Sequence, residues 1–140
     1  DSVLPKARPR YLMGVGRPTD IVKAIRRGVD MFDCVMPTRN GRNGQIFTSY
    51  GTINITNKKY KDDHSFIDED SNHAFGRMFT KAYIRHLFGV KEILGLRIAS
   101  TLNLSFYISL IKKIQELIHL GEFDSWSSSW LNEMKHHRGM

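Results

Sequence analysis

Tyr11 to Met36 read YLMGVGRPTDIVKAIRRGVDMFDCVM. The first six residues form a short apolar run closed by Gly16 and then by Arg17-Pro18, the ending expected of a buried strand. Thr19 or Asp20 is placed to cap a following helix whose apolar side is Ile21, Val22 and Ile25. Gly28 stands where a left-handed residue would stop that helix. Val29 to Met36 is a second apolar run. Two apolar strands bracketing a helix of about eight residues predict a parallel βαβ unit, because a parallel pair needs a crossover of that kind. The expected fold class is therefore α/β.

Beyond this unit, the TRNGRNGQ stretch from Thr38 is rich in glycine and asparagine and reads as an irregular turn. Ile46 to Thr56 alternates around Tyr50-Gly51 as a β-hairpin, with Ile53 and Ile55 on one face and Thr52, Asn54 and Thr56 on the other. Residues 57–72 read as a charged loop. Three helical patterns follow. Phe79 to Phe88 groups Tyr83, Ile84, Leu87 and Phe88, and Lys91 to Leu96 reads as a short turn. Leu104 to Leu120 places Leu104, Ile108, Ile111 and Ile118 on one stripe, with Gly121 as its stop. Ser127–Ser129 and the His136-His137 tail suggest a frayed C-terminus. No internal repeat is present.

The 140 residues are 41% hydrophobic and 25% charged, a composition that excludes disorder, collagen and coiled coil. A chain of this length supports one core, and so one domain or part of one. Its net charge of +7 favours a polyanionic partner. The excess is concentrated early: residues 1–42 hold nine Lys/Arg against four Asp/Glu. The single cysteine, Cys34, excludes an internal disulfide and fits a reducing cytoplasm. There is no run of 18 apolar residues to span a bilayer, so no membrane partner is expected. DSVLPKARPR lacks the apolar core of a secretory signal and leads at once into a strand, as if the chain were entered part-way through a fold.

In parallel α/β architectures, functional side chains project from the carboxyl ends of strands. Asp30 and Asp33 lie there, on the segment leading into the basic turn. A carboxylate in an apolar strand is costly to bury unless it is bonded or functional, so Asp33 is the residue to explain, either as a satisfied structural Asp or as a chemical group. The turn Thr38–Gly44 carries Arg39 and Arg42 on a pliable backbone that can present guanidinium and amide donors to phosphates or base edges. Its plain alternative is a solvated basic turn.

The stretch PRYLMGVGRPTDIVKAIRRGVDMFDCVMPTRNGRNGQIFTSYGTINITN closely resembles the C-terminal part of the tRNA-guanine transglycosylases, the queuine tRNA-ribosyltransferase family. The likeness rests on YLMGVG and on RGVDMFDCV-PTRNGRNG, and it weakens through FTKAYIRHLF and the Leu104 helix. It implies the C-terminal part of a TIM (β/α)₈ barrel with an inserted hairpin and helical subdomain that binds zinc in the family. Residues 1–45 would supply the last barrel strands and the tRNA loop, 46–103 the hairpin and a degenerate zinc subdomain, and 104–140 the C-terminal helices. The first six strands of the barrel have no counterpart here.

By that resemblance Asp33 is the nucleophile that attacks C1′ of the wobble guanosine. Met13 and Gly14 would line the base pocket, and Tyr11 would orient Asp33 or simply pack. Arg39, Arg42 and Arg17 would contact the tRNA anticodon loop. The implied reaction exchanges guanine for a 7-deazaguanine base, queuine or its precursor, through a covalent Asp-ribosyl intermediate in queuosine tRNA modification. The partners implied are tRNA, the incoming base, the N-terminal barrel portion in the same or another chain, and a dimer. Cys34 reads as a small packing side chain.

The zinc positions depart from the family pattern, a C-x-C-x2-C cluster with a later His. The aligned residues are Ser71, His73, Gly76 and Leu102, and only His73 is able to ligate a metal where four ligands are needed. No zinc and no other cofactor is expected. His64, His73 and Asp68 to Asp70 read as solvated loop residues rather than a substitute site. Residues 60–80 are expected to be looser than in relatives or repacked around Phe66, Phe75 and Phe79. The alternative reading is a non-catalytic truncated or degenerate homologue, or an RNA-binding subunit. A basic RNA-binding module of unrelated type would explain the charge but neither of the two signature strings.

Overall fold

The computed structural model describes Pro5 and residues 7–136, with side chains followed as far as Met134. The sequence-predicted βαβ unit is present. Strand β1 (Tyr11–Leu12) pairs in parallel with β2 (Met31–Phe32), Tyr11 opposite Met31 and Leu12 opposite Phe32. Helix α1 (Pro18–Ile25) makes the crossover between them. Both strands are much shorter than the apolar runs suggested. Residues 13–16 and 33–35 leave the ladder as loops: the Gly14 amide bonds a side chain, the Gly16 carbonyl accepts from the Tyr107 hydroxyl, and the Val35 carbonyl accepts from the Arg39 amide of the following helix. Helix α1 also starts earlier than expected. Arg17 is its N-cap without a side-chain cap, and Pro18 opens it, a residue whose missing N–H costs nothing in the first turn. Gly28 has φ +85°, the left-handed conformation expected of it.

The largest correction falls on the basic turn. Met36–Arg42 is a helix, α2, in place of irregular chain. Pro37 sets its first turn, and Gly41 lets it lie against helix α5 (Ile93–Leu120): a Cβ there would stand 2.8 Å from both the Cα and the backbone N of Ser100. Tertiary contact at a glycine has overridden weak helix propensity. Gly44, with φ +81°, then turns the chain into the hairpin β3 (Gln45–Thr48) and β4 (Gly51–Asn54). Its antiparallel register pairs Ile46 with Ile53 and Phe47 with Thr52.

The charged loop is only partly a loop. A 3₁₀ turn at Lys58–Tyr60 buries Tyr60, and Ile67 is fully buried farther along. A short helix α3 (Phe75–Met78) leads to α4 (Lys81–Gly89), whose N-terminus is capped by the Thr80 hydroxyl accepting from the Tyr83 amide at 3.2 Å. Phe75 and Phe79 pack against the core beside Tyr83, whereas Phe66 stays exposed.

The expected short turn and separate long helix are one element. Helix α5 runs unbroken for 28 residues and stops at Gly121, whose φ is +72°. Its middle reads as a break because Ser100, Thr101 and Asn103 are poor helix formers. Asn103 is in fact fully buried and bonded to other elements: its Oδ1 accepts from the Phe47 amide, and its Nδ2 donates to the carbonyls of Pro37 and Gln45, all at 2.9 Å. The buried stripe is also displaced. Leu102, Tyr107, Leu110, Ile114 and Leu117 face inward, while Leu104, Ile108 and Ile118 are exposed. By length and hydropathy α5 would suffice to cross a bilayer, but much of its apolar surface forms the core of this fold.

The C-terminal stretch is likewise ordered as helix α6 (Phe123–His136), not frayed over Ser127–Ser129. Ser127 is buried, and Phe123, Trp126, Trp130 and Leu131 join Val22, Leu110, Ile114 and Leu117 in one apolar cluster. Residue His137 lies outside the described residues. A second cluster fills the space between the hairpin, α4 and the first half of α5. A third, around Ile21, Phe47 and Tyr107, sits under the βαβ unit and joins the two halves.

Candidate active site

The carboxyl end of β2 carries Asp33 into solvent. The parallel register of Tyr11 with Met31 sets β1 beside this end, and the Tyr11 hydroxyl donates to Asp33 Oδ1 at 2.6 Å. Gly14 follows β1 with φ +70°, a conformation that side chains disfavour, and its amide donates to the same oxygen at 3.1 Å. These two donors, Tyr11 first, hold the Asp33 carboxyl below its ordinary value, and the same bond raises the Tyr11 hydroxyl. Asp33 is thus an oriented, exposed anion at neutral pH. It is neither sealed inward nor paired with a cation among the described residues.

Asp30 has a different role. Its carboxylate accepts from the Arg10 backbone amide at 2.7 Å and so fastens the chain entering β1 to the start of β2. The loops after the two strands are pressed together: Gly16 approaches Cys34 so closely that a Cβ would overlap the cysteine side chain. Cys34 is part-buried and packs among Ile21, Phe47 and Tyr107, the small-residue role expected of it. From α5, the Tyr107 hydroxyl donates to the Gly16 carbonyl, and burial raises that hydroxyl's pKa well above normal. Tyr107 therefore anchors the loop that presents Met13 and Gly14. Sequence reading missed it, and the only signal was a polar-tipped ring in an apolar helix.

Met13 is 74% exposed at the tip of this loop. Arg17 is exposed just beyond it, at the N-cap of α1. Arg39 and Arg42 are both exposed in the last turn of α2, three residues apart and hence on one side of the helix. Only Cys34 and Val35 separate Asp33 from this helix, so the anion and the basic turn belong to a single short segment. An open cleft beside Asp33 is walled by Ile21, Phe32, Cys34, Tyr107 and Ile111.

The positions that would hold zinc by resemblance do not fit an ion. Ser71, His73 and Gly76 are brought together, yet a Cβ at Gly76 would overlap the Ser71 side chain, and Leu102 presents only carbon to the core. The His73 Nδ1 is engaged by the Phe75 amide at 3.1 Å. No group of three or more His, Cys, Asp or Glu side chains is gathered for a metal among the described residues.

A parallel α/β unit that holds one ionised carboxylate at a strand end, next to an arginine-bearing helix, has the design of a site for nucleophilic or electrostatic chemistry on a polyanion. Comparison with known proteins makes this specific. Residues 1–136 match the family model described as queuine tRNA-ribosyltransferase. The chain is 51% identical over 132 residues to the queuine tRNA-ribosyltransferase of Francisella tularensis subsp. mediasiatica (strain FSC147), covering 94% of this chain and 36% of that protein. The proteins of the same name from Francisella tularensis subsp. novicida (strain U112) and subsp. tularensis (strain WY96-3418) match at the same identity and coverage. This chain belongs to the queuine tRNA-ribosyltransferase family. It spans about a third of the length of the curated relatives it matches.

Proposed function

We propose that the chain is the C-terminal portion of a tRNA-guanine transglycosylase, completed into a (β/α)₈ barrel by an N-terminal portion in the same or another polypeptide. The observation that carries this reading is the state of Asp33: exposed, ionised, and oriented by Tyr11 and Gly14, which both donate to Oδ1. Oδ2, which neither Tyr11 nor Gly14 engages, is the oxygen that bonds to C1′ of the wobble guanosine as the glycosidic bond breaks. Guanine leaves with the bonding pair and gains a proton from a group of the N-terminal portion. The ribose is left as an ester of Asp33.

The glycosidic nitrogen of a 7-deazaguanine base next attacks C1′ from the opposite side, loses its proton, and returns the electron pair to Asp33. Two displacements at one carbon retain configuration, as in a retaining glycosidase with a nucleobase in place of water. The carboxylate also stabilises the positive charge that builds on the sugar. Met13, exposed beside Gly14 at the tip of the loop, offers a thioether to the face of the base. Arg39, Arg42 and Arg17 take the phosphates and unstacked bases of the anticodon loop.

The test is exchange of radiolabelled guanine into an anticodon-stem RNA, by this chain alone and with an N-terminal fragment of a relative. Exchange restored by the fragment and abolished by Asp33→Asn is expected. No exchange in either mixture would favour a non-catalytic homologue. RNA binding that ignores the anticodon sequence and survives Arg39→Ala with Arg42→Ala would remove the tRNA assignment.

A further inference from the structure

The segment following the hairpin is closed by hydrogen bonds to the hairpin turn and by contacts among its own residues. Asp68 is its centre. This carboxylate is only 6% exposed, and it receives the Ser49 amide on Oδ2 at 2.8 Å, the Ser49 hydroxyl on Oδ1 at 2.7 Å and the Asp70 amide on Oδ1 at 3.2 Å. It thereby ties the loop to the turn of the hairpin. The Asp68 amide in turn donates to the Gly76 carbonyl at 3.1 Å, and the Ser71 amide to the Asp68 carbonyl at 3.2 Å. Gly76 lies against Ser71 with no room for a side chain. A neighbouring clamp runs from the Tyr50 hydroxyl to the Ile67 carbonyl at 2.6 Å.

On the other side of the loop the rings of His73, Phe75, Phe79 and Tyr83 follow one another at centroid distances of 4.5, 5.4 and 5.6 Å, ending on helix α4. Structural zinc joins segments that are far apart in sequence and contributes directly to the folding of small loop-rich units. Here the same joining is done by one buried carboxylate with three donors and by a row of rings. Charge-assisted bonds to a buried carboxylate are among the stronger ones a loop can make.

We infer that residues 65–80 hold their fold without a metal, with Asp68 as the group that fastens this segment to the hairpin. The experiment uses the full chain. Elemental analysis after purification should find well below one zinc per chain, and the melting temperature should be unchanged by EDTA. Amide hydrogen exchange should show Ser49 and Asp70 protected equally with and without the chelator. Asp68→Ala should raise exchange across residues 65–80 by tenfold or more while α6 keeps its protection. One zinc per chain with a melting temperature lowered by EDTA would overturn the inference. Unaltered protection in Asp68→Ala would overturn it as well. If that variant does not fold, the chelator comparison on the unaltered chain decides, since loss of Ser49 and Asp70 protection in EDTA would contradict a metal-free closure.

Discussion

At Asp33 the geometry separates orientation from ionisation. The Tyr11 hydroxyl and the Gly14 amide stabilise the charged form, so the folded carboxyl titrates below its unfolded value. Its stabilising effect is complete above the ordinary carboxylate range, near pH 3.9, and is lost as pH falls through the lowered folded value. Tyr11→Phe keeps the ring and removes the larger of the two causes. The expected outcome is an upward shift of the Asp33 midpoint toward the ordinary value, read from its carboxyl carbon in an NMR titration. The carboxyl of the variant remains ionised at pH 7. Any loss of exchange activity in the completed enzyme then reports misorientation, roughly tenfold to a hundredfold in kcat with little change in the pH profile. An unmoved midpoint would mean that Tyr11 merely packs there.

Among the elements, what was legible in the sequence is what local chemistry decides. Gly28 and Gly121 stop their helices in the left-handed conformation, and Ile53 and Ile55 mark the inner face of the hairpin. The elements that escaped reading are those whose stability comes from distant partners. Helix α2 contains Asn40 and Gly41, and its packing on the backbone of Ser100, which lies far off in sequence, goes with its being helical. Asn103 looks like a break in α5, whereas its amide bonds join α2 and β3 across the core. The serines of α6 conceal a helix seated by Trp126 and Trp130. For the site, Asp33 was legible from the strand pattern, but Tyr107 was not, since nothing near it in sequence points to Gly16. Gly41→Ala tests the packing account. An added methyl against helix backbone should destabilise the chain by about 1–3 kcal/mol in chemical denaturation and push α2 from α5. Because Arg39 and Arg42 ride on α2, affinity for an anticodon-stem RNA should fall even at temperatures where the variant is fully folded. Full affinity in a folded variant would separate the arginines from RNA binding.

The molecule as a whole is well closed on one side and open on the other. The hairpin, α4, α5 and α6 surround continuous apolar clusters, while the βαβ unit leaves Tyr11, Leu12, Met31 and Val35 exposed. Among the described residues, strands β1 and β2 form a two-stranded sheet, so each has an edge with no further strand beside it. An isolated two-stranded ladder is marginal in water, and open edges with apolar side chains invite further strands. In a completed barrel those edges would be paired and the cleft beside Asp33 would become an interior wall. The chain alone should therefore self-associate through this side, giving sedimentation coefficients that rise with concentration in the ultracentrifuge. Adding an N-terminal fragment from a relative should convert the mixture to a discrete complex and raise the melting temperature with fragment concentration, as expected for a ligand that binds only the folded form. The two effects must arise from the same surface. Replacing Leu12 and Met31 by Lys should suppress self-association and weaken capture of the fragment together, while the melting of α5 and α6 stays unchanged. A chain that sediments as a monomer at all concentrations and ignores the fragment would show that the βαβ edge is closed as it stands.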